Sequence, residues 1–148
     1  MKAKKPVIIL IAEDDDDDFI MTRDALEESR LLNELHRVKN GVELMDYLLH
    51  RGNYENHVDA PLPALILLDL NMPLKDGREA LKEIKEHTTL RRIPVVVLTT
   101  SKAEEDIVRT YDIGVNSFIQ KPVAFSAFVE AIKVMNQYWF EIVALPEQ

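Results

Sequence analysis

The sequence predicts a doubly wound α/β domain in which five parallel strands form one sheet and five helices cover it. Two observations lead to this fold class. Short, uninterrupted apolar runs, typical of strands covered on both faces, alternate with segments whose apolar residues recur at helical spacing. Strands and helices that take turns in this way form parallel sheets. The 148 residues suit one domain that buries its own core.

Five strands are predicted from these apolar runs. The first, third and fourth are continuous, whereas the second and fifth have weaker patterns. In chain order they cover residues 7–12, 35–39, 64–68, 95–98 and 117–120. Pro94 precedes the fourth strand, where its missing N–H does no harm.

Five helices are predicted from apolar residues that share one helical face. They cover residues 19–26, 42–49, 80–84, 107–111 and 125–135. The pairs Asn40-Gly41 and Asp76-Gly77 mark turns before the second and third helices. Residues 50–63 contain Gly, Asn and two Pro, and we expect them to form one long loop before the third strand.

Composition excludes several function classes. The chain has no cysteine, which rules out disulfides, a thiol nucleophile and a cysteine-based zinc site. A formal net charge of −8 argues against binding to nucleic acid or to an anionic membrane, because both attract basic surfaces. The longest apolar run, residues 7–12, is too short to cross a bilayer, and the basic start of the chain lacks the apolar segment of a secretory signal. We therefore expect a cytoplasmic protein.

Polar side chains follow four of the predicted strands at the point where each strand ends. In parallel α/β sheets the ligand site lies beyond these carboxyl ends, so we expect the side chains to meet in one crevice. They are Glu13, Asp14, Asp69, Asn71, Thr99 and Lys121. Oxygen ligands without His or Cys favour Mg²⁺, and a bound cation lets neighbouring carboxylates ionise together.

Four segments contain these residues: ILIAEDD, LILLDLNMPLKDG, VVVLTTS and FIQKP. In order and spacing they resemble the receiver domain of two-component response regulators. The resemblance covers about residues 7–137 and divides the chain into a receiver domain, residues 1–137, and an apolar C-terminal extension, residues 138–148. It implies the flavodoxin-like strand order 2-1-3-4-5. It also implies a phosphoacceptor that takes a phosphoryl group from a histidine kinase, and not an enzyme that turns over a separate substrate.

The resemblance assigns the metal and phosphoryl chemistry to particular residues. Asp69 is implied as the phosphoacceptor, and Glu13 and Asp14 as the acidic pair. Asp14 and Asp69 are implied as Mg²⁺ ligands, with the main-chain carbonyl of Asn71 as the third protein ligand. In-line phosphoryl transfer needs a nucleophile, a metal and donors for the remaining phosphoryl oxygens, and these residues supply the first two.

Three further residues match the family's signalling positions. Thr99 corresponds to the switch hydroxyl, Lys121 to the lysine that pairs with the phosphate, and Phe118 to the switch aromatic. Taken alone, Thr99 is ordinary in a strand, Lys121 could be a surface lysine and Phe118 could be a core residue. Their combination at the ends of two strands favours the functional interpretation.

The acidic run after the first strand needs more than one explanation. Asp16, Asp17 and Asp18 are predicted to lie at a helix N-terminus or in solvent, where negative charge suits the helix dipole. Glu13 and Asp14 lie at the strand end, where the site needs them. For Asp15 the sequence leaves both possibilities open.

The C-terminal extension, YWFEIVALPEQ, is too apolar for an ordinary tail. Packing against the last helix of the same domain and burial in a subunit interface both explain it. Together with RIPVVVLTTS and FIQKPV, this ending resembles the stand-alone response regulators that serve cyanobacterial phytochromes. That group implies a phytochrome kinase as partner and a homodimer, with Tyr138, Trp139 and Phe140 as interface residues.

Two other functions share parts of the pattern. Haloacid-dehalogenase-type phosphatases also use a strand-end Asp, a Thr or Ser, a Lys and an acidic pair around Mg²⁺. They usually need a second Asp two residues after the nucleophile as general acid, and this chain has Asn71 there. A receiver that is never phosphorylated and serves only as an interaction module is the third possibility. A phosphoryl-donor assay with Mg²⁺ separates the three.

Overall fold

One sheet of five parallel strands runs through the chain. The strands are β1 (Ile8–Ala12), β2 (Glu34–Val38), β3 (Leu65–Asp69), β4 (Val95–Thr99) and β5 (Ser117–Gln120). Their order across the sheet is β2-β1-β3-β4-β5, and every neighbouring pair is parallel. The computed structural model describes residues 8–28, 34–57, 62–100, 102–109, 117–121 and 126. The predicted fold class and strand order are confirmed.

Within these ranges the chain forms four α-helices and two short 3₁₀ helices. The α-helices are α1 (Asp16–Glu28), α2 (Gly41–Leu49), α3 (Gly77–Glu86) and α4 (Lys102–Arg109). The 3₁₀ helices are Gly52–His57 and Leu90–Arg92. The first of them corrects the expectation of one long loop over residues 50–63. The predicted fifth helix, residues 125–135, lies outside the described residues except for Ser126. None of the described helices is long and apolar enough to cross a membrane.

The strands owe their burial to their position in the sheet. Every residue of β1, β3 and β4 is buried, as their continuous apolar sequences predict for strands covered on both faces. β2 lies at the edge, and there only Val38 is buried. This difference explains why β2 has the weaker strand pattern in the sequence. Asp69 and Thr99 are the last residues of β3 and β4, so the buried sheet carries polar groups directly to its carboxyl edge.

The start of α3 docks tightly on the end of β3. Asp76 and Glu79 form a capping box, in which the side chain of each residue accepts a hydrogen bond from the backbone N–H of the other. Gly77 donates its N–H to the carbonyl oxygen of Leu70 at 3.1 Å. A Cβ atom at Gly77 would lie 2.4 Å from the carbonyl oxygen of Asp69, so only glycine fits this approach. The contact holds the loop after Asp69 against the body of the domain.

Candidate functional site

Three carboxylates meet at the carboxyl edge of the sheet. Ala12 and Leu68 are partners in the β1–β3 register, and Glu13 and Asp69 each follow that pair. Carboxylate oxygens of Glu13, Asp14 and Asp69 all lie within 4.8 Å of one another. Glu13 and Asp69 are buried, whereas Asp14 is exposed. The strand order reverses between β1 and β3, which is where ligands bind in sheets of this kind.

The backbone around Glu13 is fixed from the β2 side. Its N–H donates to the carbonyl oxygen of Val38 at 2.9 Å. Its own carbonyl oxygen accepts from Nε of Arg37, also at 2.9 Å. The N–H of Asp15 donates to Oε2 of Glu13 at 3.2 Å. These bonds hold the Glu13 carboxylate in the crevice, although the residue follows the strand.

The ammonium group of Lys121 lies among the carboxylates. Its Nζ atom is 2.9 Å from Oε1 of Glu13, 2.9 Å from Oδ2 of Asp18 and 3.4 Å from Oδ2 of Asp69. Its hydrogen bond to Glu13 goes to Oε2 at 3.1 Å, and Oε1 of Glu13 is in ion-pair contact only. The backbone N–H of Lys121 donates to the carbonyl oxygen of Thr99 at 2.7 Å. That bond anchors the lysine to the end of β4.

Burial and charge crowding change the acidity of the site. Burial is the main cause that raises the pKa of Glu13 to about 7; the Asp69 charge adds to it, while Lys121 opposes it. Burial also raises the pKa of Asp69, against the Lys121 charge and the Asn71 N–H, which lower it. For Lys121, burial lowers the pKa, but hydrogen bonds to Asp18 and Glu13 outweigh it and raise the value above normal. Because one ammonium contacts three carboxylates, the site carries an excess of potential negative charge.

The donor set fits a hard divalent cation. The clustered atoms are all carboxylate oxygens, the ligand type that Mg²⁺ and Mn²⁺ prefer. One of the three residues, Asp14, faces solvent and leaves the cluster open on one side. A cation that binds there would compensate the charge excess that Lys121 alone leaves.

The chain matches the family of response regulator receiver domains over residues 9–133. It belongs to this family. The receiver is 41% identical to the response regulator Rcp1 of Synechocystis sp. over 126 residues, which are 85% of this chain and 84% of Rcp1.

Solved structures give the same assignment. The bacteriophytochrome response regulator AtBRR superposes with a TM-score of 0.82 at 39% identity, over 98% of this receiver and 97% of AtBRR. The phosphorylated cyanobacterial phytochrome response regulator RcpA superposes with a TM-score of 0.74 at 43% identity, over 97% and 100% of the two chains. A structure of Rcp1 in its Mn²⁺-bound form is similar at a TM-score of 0.74.

The acidic run of this receiver divides into separate roles. Asp15 is the N-cap of α1, because its Oδ1 accepts from the N–H of Asp18 at 2.9 Å. Asp16 and Asp17 are exposed in the first helical turn, as predicted. The expectation for Asp18 was incomplete. It lies in the same turn, but its side chain is partly buried and contacts Lys121.

Two contributors to the site were missed by the sequence-based prediction: Asp18 and Arg37. Asp18 has a signal in the sequence, because it lies four residues before Thr22 and seven before Ala25, both buried on the inner face of α1. Arg37 pairs with Asp16 at 2.9 Å and stacks over the ring of Phe19, with 4.5 Å from Cζ to the ring centroid. No pattern in the sequence singles out Arg37, because its contacts join residues far apart in the chain.

The remaining predicted site residues occupy different surroundings. Asn71 is exposed, and its N–H donates to Oδ1 of Asp69 at 3.2 Å. Thr99 is buried at the end of β4. Phe118 is partly buried and packs against the apolar core. The predicted interface residues of the extension, Tyr138, Trp139 and Phe140, lie outside the described residues.

Proposed function

We propose that this receiver accepts a phosphoryl group on Asp69 from a histidine kinase, in a reaction that depends on Mg²⁺. One observation supports this above the others. The buried Asp69 carboxylate lies at the topological switch point with Glu13 and Asp14 within metal-ligand reach and Lys121 in contact. The family match favours this function over that of a haloacid-dehalogenase-type phosphatase.

The chain's own residues prepare Asp69 for transfer. The Asn71 N–H on Oδ1 and the Lys121 ammonium near Oδ2 hold the plane of the carboxylate. In the transfer, the P–N bond of a phosphohistidine breaks and a bond forms between phosphorus and a carboxylate oxygen of Asp69. The leaving imidazole takes up a proton. Lys121 and the hydroxyl of Thr99 are the donors we assign to the phosphoryl oxygens.

Mg²⁺ would be held by Asp14 and Asp69, with Glu13 and the main-chain carbonyl of Asn71 completing the protein's contribution. When bound, it supplies positive charge that neutralises phosphoryl oxygens during transfer. The Mn²⁺-bound form of the related Rcp1 supports a divalent cation at this site. The cluster of oxygen donors in this chain supports the same proposal.

The signal leaves the site through the ends of β4 and β5. A phosphoryl group adds about −1.5 to −2 charges at neutral pH, and we assign Thr99 and Lys121 as the hydrogen-bond donors to its oxygens. Inward movement of Thr99 would vacate space for Phe118, which is partly buried against the core and pairs with Val97, two residues before Thr99 on β4. The surface around β4, β5 and their helices would change shape, and partners would detect that change.

We further propose that the kinase is a phytochrome, that the exchange takes place in the cytoplasm and that the receiver forms a homodimer. The relatives AtBRR and RcpA are phytochrome response regulators, which supports the first point. The apolar extension with Tyr138, Trp139 and Phe140 supports the last. Sedimentation of the full chain, compared with a chain that ends at Gln137, tests the dimer. A monomeric full chain at high micromolar concentration would contradict it.

The deciding experiment is phosphoryl labelling with Mg²⁺ from an autophosphorylated histidine kinase, with Asp69→Asn as the test variant. We expect base-labile label on the parent chain and none on Asp69→Asn, whose stability should hold or rise because one charge leaves a crowded site. Asp17→Asn, a change at an exposed carboxylate, should be labelled like the parent. Undiminished labelling of Asp69→Asn would overturn the assignment. Steady turnover of phosphate esters would indicate a phosphatase. Absence of a reaction with every phosphoryl donor would indicate an interaction module.

A further inference from the structure

Asp18 contacts the functional lysine from outside the residues assigned to metal and phosphoryl chemistry. Its Oδ2 lies 2.9 Å from Nζ of Lys121 and accepts a hydrogen bond from it. The side chain of Asp18 is 29% exposed, whereas that of Asp16 in the same turn is 74% exposed. Asp18 is therefore directed into the site, and its neighbour is directed to solvent.

The first turn of α1 fixes this orientation. The backbone N–H of Asp18 donates to Oδ1 of Asp15 at 2.9 Å. Its carbonyl oxygen accepts from Oγ1 of the buried Thr22, also at 2.9 Å. Because both backbone groups of Asp18 are held, its short side chain has little freedom to leave Lys121.

The contacts of the ammonium group are unequal. A lysine ammonium has three N–H donors. In this structure Nζ of Lys121 lies 2.9 Å from both Glu13 and Asp18, but 3.4 Å from Asp69. The ammonium thus lies closer to Glu13 and to Asp18 of α1 than to the carboxylate that we assign as phosphoacceptor.

We propose that Asp18 is a positioning residue that holds Lys121 and competes for it with the phosphoryl group on Asp69. The inference rests on the proposed function of Asp69. Each phosphorylation then has to draw the ammonium away from Asp18. Asp18 therefore weakens the phosphorylated state and favours return of the receiver to its resting state.

The test measures the affinity for beryllofluoride, an acyl-phosphate mimic, in the presence of Mg²⁺ by ¹⁹F NMR. Asp18→Asn should bind the mimic about fivefold more tightly than the parent, the size expected when a neutral hydrogen bond replaces the charge-assisted one that competes for Lys121. The matched control is Asp17→Asn, which removes the same charge from the same helical turn at an exposed position. It should bind like the parent. Equal effects of the two variants would overturn the proposal.

A double-mutant cycle shows whether Asp18 acts through the lysine. In a Lys121→Ala background, Asp18→Asn should change the affinity for the mimic no more than Asp17→Asn does. A persistent gain there would mean that Asp18 acts by direct repulsion, and the positioning role would be wrong.

A second measurement does not depend on phosphoryl chemistry or on bound metal. In metal-free protein labelled with ¹⁵N-lysine, Asp18→Asn should shift the Nζ resonance of Lys121, identified by its loss in Lys121→Ala. Asp17→Asn should leave it in place, and an unshifted resonance in Asp18→Asn would refute the contact. If the parent binds no beryllofluoride and accepts no label, the proposed function fails and the inference with it. If the parent binds the mimic but both Asp variants behave alike, only the inference fails.

Discussion

Two groups of ion pairs in this receiver each join a lysine to acidic side chains, but their exposure to solvent differs. At the carboxyl edge of the sheet, Lys121 is 11% exposed and its partner Glu13 is fully buried. On the outer face of α4, Lys102 and Asp106 lie 3.5 Å apart with 72% and 59% of their side chains exposed. The first group has left water, so loss of its single cation would leave buried carboxylates without a positive partner. The second remains solvated, and its members are nearly independent.

The buried group is also unbalanced. Lys121 contacts the three carboxylates of Glu13, Asp18 and Asp69, so its single positive charge does not neutralise them. A site selected for stability alone would pair one charge with one. Burial raises the pKa values of Glu13 and Asp69, and for Glu13 the charge of Asp69 adds to the shift. The excess of negative charge suits the cation that we propose to bind and release at this site.

The largest expected effect comes from removing the buried cation. Lys121→Ala should lower the free energy of unfolding of metal-free protein by about 3 kcal/mol at pH 8, because it leaves buried carboxylates unpaired. Lys102→Ala, which removes an exposed lysine, is the matched control and should change it by less than about 0.5 kcal/mol. Urea denaturation in the presence of a chelator measures both. Similar losses in the two variants would erase the distinction between the groups.

The loss in Lys121→Ala should also depend on pH. The pKa of Glu13 is raised to about 7 in the folded parent, from an ordinary value of 4.5. The folded state therefore holds this proton more tightly than the unfolded state, and the associated stability is full below pH 4.5 and lost as pH rises through 7. Lys121 opposes the shift, so its removal should raise the Glu13 pKa further. The destabilisation should thus be smaller at pH 5.5 than at pH 8, and a loss that stays constant would contradict the coupling.

A smaller effect is expected at the exposed carboxylate of the metal cluster. Asp14→Asn should weaken Mg²⁺ binding about tenfold, since it removes one charged oxygen ligand from a site that takes few of them. Asp17→Asn should leave the affinity unchanged, because Asp17 lies in the helix and not at the strand end. Calorimetric titration with Mg²⁺ measures both. Equal weakening would mean that the acidic run acts as a diffuse field of charge.

The fold and the members of the site could be predicted because each depends on local pattern and one rule of topology. Continuous apolar runs identified β1, β3 and β4, and the rule for parallel sheets brought Glu13, Asp69 and Lys121 to one edge. The 3₁₀ helix Gly52–His57 escaped prediction, since it is short and polar and has no apolar period.

The contacts within the site are harder to predict than its membership. Asp15, Asp16, Asp17 and Asp18 have the same side chain, yet they cap the helix, pair with Arg37, face solvent and contact Lys121, respectively. Their roles depend on the helical turn that starts at Asp16 and on which side of it faces the sheet. Composition cannot distinguish them, whereas the phase of the helix relative to Thr22 and Ala25 can.

The smallest effect is expected at the exposed pair on α4. Asp106→Asn should lower the free energy of unfolding by about 0.3 kcal/mol or less in dilute buffer. Lys102 precedes Asp106 by four residues, and this order is less favourable than the reverse because each charge opposes the helix dipole. Salt at 0.5 M should remove the difference, since both side chains are in solvent. Urea denaturation at two ionic strengths measures it, and a loss above about 1 kcal/mol would show that exposure does not separate this pair from the buried group.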